Sequence, residues 1–114
     1  MSDMPGRLLD GDGAPVVLDD EGFLVRPEQW SIKVAEALAA SDGVVLGKQH
    51  WWLIRMVRDH HQRYGNPPLM RVVVAAWREQ FGSGSSRELY RLFPDGPVRL
   101  ACKYGGLAKP DWCI

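Results

Sequence analysis

Two cysteines, Cys102 and Cys113, are the residues whose type and spacing could do chemistry. Cys113 stands next to last in "CKYGGLAKPDWCI", and a chain end is a poor place to bury a thiol. Ten residues separate the pair, which matches neither a C-x-x-C redox motif nor the paired cysteines of a zinc site. Arg99 and Lys103 flank Cys102, and Lys109 precedes Cys113. Nearby cations favour the thiolate, the form that attacks disulfides and carries persulfide sulfur, although Asp111 works against this at Cys113. Cys102 considered alone reads better as an inert buried thiol; for Cys113, with little chain after it, that explanation is much weaker. His50, His60 and His61 are the remaining candidate ligands. No cysteine or carboxylate pattern organises them, so neither a metal nor another cofactor is expected. His61 shares a helical face with Leu53, Ile54, Val57 and Tyr64 and is expected at the core edge, with His60 in solvent.

The elements that must position these thiols read as mostly helical. "APVVLDDEGFLV" places two apolar runs around "DDEG", the signal of a hairpin. After Pro27, "EQWSIKVAEALAASDG" carries Trp30, Val34, Ala37 and Leu38 at helical spacing and ends at Gly43. "GKQHWWLIRMVRDHHQRYG" is a second helix, stopped by Gly65 with Pro67 and Pro68. "PPLMRVVVAAWREQFG", apolar on most sides, reads as a buried central helix, and "SSRELYRLF" as a shorter one capped by Ser85 or Ser86. "GPVRLACKYGG" makes Cys102 helical and ends at paired glycines, where the chain can turn. The expected fold is mainly α: a compact helical bundle with a small N-terminal β-hairpin and an irregular C-terminal arm. One domain spans 1–114, with 1–13 a flexible N-terminus and 106–114 the cysteine-bearing arm.

With 114 residues, 46% of them hydrophobic and 25% charged, the chain suits one modest core in a soluble globular protein. No apolar run approaches a membrane span, and the opening residues lack the apolar stretch of a secretory signal. A cytoplasmic monomer without membrane insertion is therefore expected, in a compartment where a disulfide is transient and catalytic or redox-sensing. Formal net charge is zero, yet residues 1–46 hold nine acids and three bases while 47–114 hold eleven bases and five acids. The thiols thus lie in the basic part, which hints at an anionic ligand or acidic partner. A thiol-based regulator binding DNA is a further reading, but no helix shows a basic recognition face and the zero net charge argues against strong DNA affinity.

"YRLFPDGPVRLACKYGGLAKPDWCI" resembles the C-terminal signature of the DsrC/TusE/DsvC family of sulfur-carrier proteins, with its "LFPxGPAKQAC", "AGLPKP" and penultimate cysteine. Upstream, "DDEGFLVRPEQW" is similar to the family's opening. "HWWLIRMVRDHHQRYGNPPLMRV" is similar to its helix leading through a proline pair to an arginine, here Arg71. The sequence departs from the pattern at Leu100, Ala108 and the bulky pair Asp111–Trp112. The resemblance implies a sulfur carrier that acts as a protein co-substrate rather than a stand-alone sulfurtransferase catalyst. Cys113 would hold a persulfide or trisulfide and Cys102 would be the resolving cysteine. Arg99, Lys103, Lys109 and Arg71 would support the thiolates or bind partners. Two cysteines typify the branch that works with dissimilatory sulfite reductase. The TusE-like branch, which generally lacks the second cysteine and relays sulfur for tRNA 2-thiouridine formation, is the alternative. The partners implied are the donors and acceptors of one of these relays.

Overall fold

Ser31 opens the first long helix with extended backbone, its hydroxyl accepting the Val34 N–H at 3.2 Å and so satisfying one donor that every helix start leaves open. The structure, a computed structural model, describes residues 15–82 and 86–110. Its helices are α1 (Ile32–Ser41), α2 (Lys48–Tyr64), α3 (Met70–Phe81), α4 (Ser86–Leu92) and α5 (Pro97–Tyr104). The expectations for 1–13, for Ser85 as a cap, and for Asp111, Trp112 and Cys113 lie outside the described residues.

Two features differ from the sequence expectation at the N-terminal side. The β-hairpin over "APVVLDDEGFLV" is not formed: there is no β-strand among the described residues, only isolated bridge pairing such as the antiparallel bridge of Leu18 with Leu24. The chain reverses there because Asp19 Oδ1 accepts the Glu21 and Phe23 N–H groups at 2.8 and 2.9 Å, a local Asx turn. Backbone bonds from Asp19 N–H to the Phe23 carbonyl and from Val25 N–H to the Val17 carbonyl flank the bridge, and the pairing extends no further because the Gln29 side chain takes the next two backbone groups. Its Oε1 accepts the Val17 N–H and its Nε2 donates to the Pro15 carbonyl, both at 2.9 Å. The second difference is that Pro27 starts only a 3₁₀ turn, Pro27–Gln29, and Trp30 and Ser31 are extended before α1 begins.

The central helix is α5, not α3. It touches each of the other four helices, and Pro97, Val98 and Leu100–Tyr104 are all buried. Around it pack Phe23, Leu38, Leu53, Ile54, Val57, Trp77, Leu89 and Phe93, each worth about 2 kcal/mol when fully removed from water. α3 buries only Val73 and Trp77 and leaves Val72 exposed. Its apolar composition suggested a core helix, but the short helix carrying Cys102 occupies that place. α2 faces the core with Leu53, Ile54 and Val57, while Tyr64 is exposed and the helix ends at left-handed Gly65.

Candidate functional site

Cys102 lies in the last turn of α5 with no exposed surface. The chain leaves that turn through a hydrogen-bonded junction between helix and arm. The helix ends in a Schellman arrangement: Gly106 is left-handed at φ 76°, the Leu107 N–H donates to the Cys102 carbonyl at 2.9 Å, and the Gly106 N–H to the Lys103 carbonyl at 3.3 Å. The Ala101 carbonyl accepts from the Gly105 N–H at 2.9 Å. Two further carbonyls, of Tyr104 and Gly105, are reached by side chains instead. Trp30 Nε1 donates to the Tyr104 oxygen at 2.7 Å, and Arg58 Nη1 donates to the Gly105 oxygen. The Arg58 guanidinium also lies 3.8 Å from the centre of the Trp30 ring, a cation–π stack. Burial pulls the Arg58 pKa below its ordinary value, yet a guanidinium so far above neutral pH stays charged.

The cations singled out beside the thiols have partners of their own. Lys103 reaches Asp42 Oδ2 at 2.9 Å, and the Tyr104 hydroxyl donates to the same oxygen at 2.9 Å. This near-buried pair ties α5 to the end of α1. The same burial and the Asp42 hydrogen bond push the Tyr104 phenol well above its usual value. Arg99 lies 5.5 Å over the Phe23 ring, and Lys109 pairs with Glu21 at 2.9 Å on the surface. Arg71 is exposed in the first turn of α3. Of the six residues singled out, the structure groups Arg99, Cys102 and Lys103 on α5 and sets Lys109 in the arm beyond it. Arg71 stands on a different helix, and Cys113 lies outside the described residues.

Neither Trp30 nor Arg58 stands out from the sequence as a functional residue. Trp30 reads there as one of the apolar residues at helical spacing, and nothing in the sequence singles out Arg58. The signal available is the pair of glycines after Tyr104, which demands carbonyl partners without saying where they come from. Beside this junction lies an open cavity of about 780 Å³, lined by Leu24, Pro27, Arg55, Arg58, His61 and Leu107 among others. His61 is thus at a cavity wall. His60 is half-buried, its Nδ1 2.9 Å from the Asn66 carbonyl. Among the described residues no cluster of histidine, cysteine and carboxylate could hold a metal ion, and no helix is long and apolar enough to cross a membrane.

Residues 11–114 match the family model "DsrC like protein", and the chain belongs to that family. It is similar to Sulfurtransferase TusE of Salmonella paratyphi A, 42% identical over 94% of this chain and 100% of the relative. The TusE of Escherichia coli is 41% identical over the same shares. Among solved structures, the oxidised γ-subunit of dissimilatory sulfite reductase (DsrC) from Archaeoglobus fulgidus superposes with a TM-score of 0.83 at 36% identity, covering 93% of this chain and 98% of that one. Allochromatium vinosum DsrC gives 0.79 at 35% identity, over 93% and 96%.

Proposed function

We propose that this protein is a sulfur carrier, passing sulfur between protein partners as a persulfide on Cys113, with Cys102 as the resolving cysteine in a relay of the dissimilatory sulfite reductase type. It acts as a co-substrate of those partners. The observation that carries the reading is the bond from the Leu107 N–H to the Cys102 carbonyl, by which the segment leading to Cys113 starts on the helical turn that holds Cys102. Discharge then balances without an outside oxidant. The Cys102 thiolate attacks the inner sulfur of the Cys113 persulfide, and a Cys102–Cys113 disulfide forms. The bond to the outer sulfur breaks, and that sulfur leaves as hydrosulfide.

A second reading is favoured by the 42% identity to Sulfurtransferase TusE over that relative's whole length. In it Cys102 takes no part and sulfur passes through Cys113 alone, the arrangement that the resemblance to the TusE branch implies for tRNA thiolation. Both readings share the carrier and differ in the discharge. Loading from a persulfide donor, followed by intact-protein mass measurement, tests them. Cys113→Ala is expected to gain no sulfur mass; unchanged loading there defeats both. Cys102→Ala is expected to load normally and to release no hydrosulfide on its own, whereas release unchanged from the parent selects the single-thiol relay.

A further inference from the structure

We infer that Trp30 and Arg58 are positioning residues for the arm, setting the direction in which the chain leaves α5; as a step in sulfur delivery this rests on the carrier reading above. A helix end leaves its last carbonyls without intrahelical partners. Here the backbone closes three of them, at Ala101, Cys102 and Lys103, through the N–H groups of Gly105, Leu107 and Gly106. The two carbonyls beyond its reach, at Tyr104 and Gly105, are those taken by Trp30 Nε1 and Arg58 Nη1. These donors come from the segment before α1 and from α2, 74 and 47 residues away in sequence. The orientation of the junction is therefore imposed by the body of the protein rather than by the helix end itself.

The two donors also act on each other and on the turn. The guanidinium stacks at 3.8 Å on the indole, so each holds the other's rotamer. A Cβ built on Gly106 would lie 2.5 Å from Trp30 Cδ1, so Trp30 packs directly against the left-handed turn itself. Farther along, Pro110 is buried and Lys109 pairs with Glu21. Leu107 and Ala108 run between these anchors and line the 780 Å³ cavity together with Arg58. The clamp thus decides both where the arm starts and the width of the cleft beside it. The residues beyond Pro110 begin from a point the body has set.

The test separates positioning from stability. Nitroxide labels are placed at Ala108→Cys and Glu36→Cys, both exposed, in a protein carrying Cys102→Ser and Cys113→Ser, and the distance distribution is measured by pulsed EPR well below the unfolding midpoint. Trp30→Phe keeps an aromatic face for Arg58 and removes the donor; Arg58→Met keeps length and removes the donor, and Arg58→Lys restores one. Loss of one such bond should shift the docked-to-undocked ratio of the arm by about fivefold, read as a second, broader component in the Phe and Met variants that recedes with Lys. Distributions as narrow as the parent's in both donor-less variants overturn the proposal, as does an equal broadening with Lys. In the protein with both native cysteines, the same variants should raise the apparent KM for sulfur delivery while loading from a persulfide donor stays at the parent level. A lowered loading with unchanged KM also overturns it. Because the distance measurement involves no sulfur, failure of the carrier reading would leave that arm of the test standing.

Discussion

His50 makes two hydrogen bonds that fix its tautomer. Nδ1 accepts the Gly47 N–H at 3.0 Å, so the ring proton sits on Nε2, which donates to the Leu92 carbonyl at 3.0 Å. One imidazole thereby caps α2 and holds it to the end of α4, with its ring edge-on to Phe93 at 5.1 Å. Burial lowers its pKa below the ordinary histidine value, with the Leu92 bond opposing. The unfolded chain then binds more protons than the folded one between the two pKa values, so stability rises with pH across that window. The His50 contribution is complete above about pH 6.5 and is lost as pH falls through the folded value. Urea midpoints should therefore drop from about pH 7.5 to about pH 5, and drop less in His50→Gln. An equal drop in both proteins would show that another group is responsible.

At the scale of elements, two glycines that end helices in the left-handed region differ in what surrounds them. Gly65, at φ 79°, has nothing within 4 Å of a built Cβ, whereas at Gly106, φ 76°, that Cβ would overlap three atoms of Trp30 at 2.5 to 2.8 Å. Gly65→Ala should cost only the backbone strain, about 1 kcal/mol. Gly106→Ala should cost about 3 kcal/mol, strain plus overpacking against an indole held by its own hydrogen bond. Chemical denaturation of the two variants checks this, and equal losses would mean that Trp30 yields easily to the added methyl. The same contrast explains why "YGG" is legible as a helix stop while the Trp30 contact is not: a stop needs only local backbone freedom, and the contact needs a residue from the far end of the chain.

For the molecule as a whole, Cys102 lies fully buried on a helix that touches each of the other four, so a reagent in solvent meets its thiol only when the residues covering it move away. Native-state alkylation of Cys102 should run at least about 100-fold slower than in denaturant, tracking the population of opened molecules, with Cys113 as the internal reference in peptide mapping. Labelling of Cys102 near its denatured rate would contradict the burial. Under oxidised glutathione, an intramolecular Cys102–Cys113 disulfide should appear as a loss of two hydrogens. Closing this loop constrains the unfolded chain by about 3 kcal/mol in the entropy model, which the folded state keeps only if the bond forms without strain.

What local physics can specify was legible in the order of residues alone. Proline and glycine brackets and 3.6-residue periodicity located α2, α3, α4 and α5, the helical setting of Cys102 and the turn at Gly106. The tail motif was specific enough to indicate the family. The hairpin expectation failed because a competing partner, the Gln29 amide, takes the Val17 and Pro15 backbone groups, and periodicity carries no information about such competition. Composition likewise pointed to α3 as the core helix, since it counts apolar residues but not neighbours; burial depends on what surrounds a helix, and four others surround α5. Only the tertiary structure decided that Lys103 serves Asp42 and that Trp30 and Arg58 serve the helix end. Hydrogen bonds and ion pairs reach about 3 Å through space, and residues 47 to 74 positions apart come within that distance only once the core has formed.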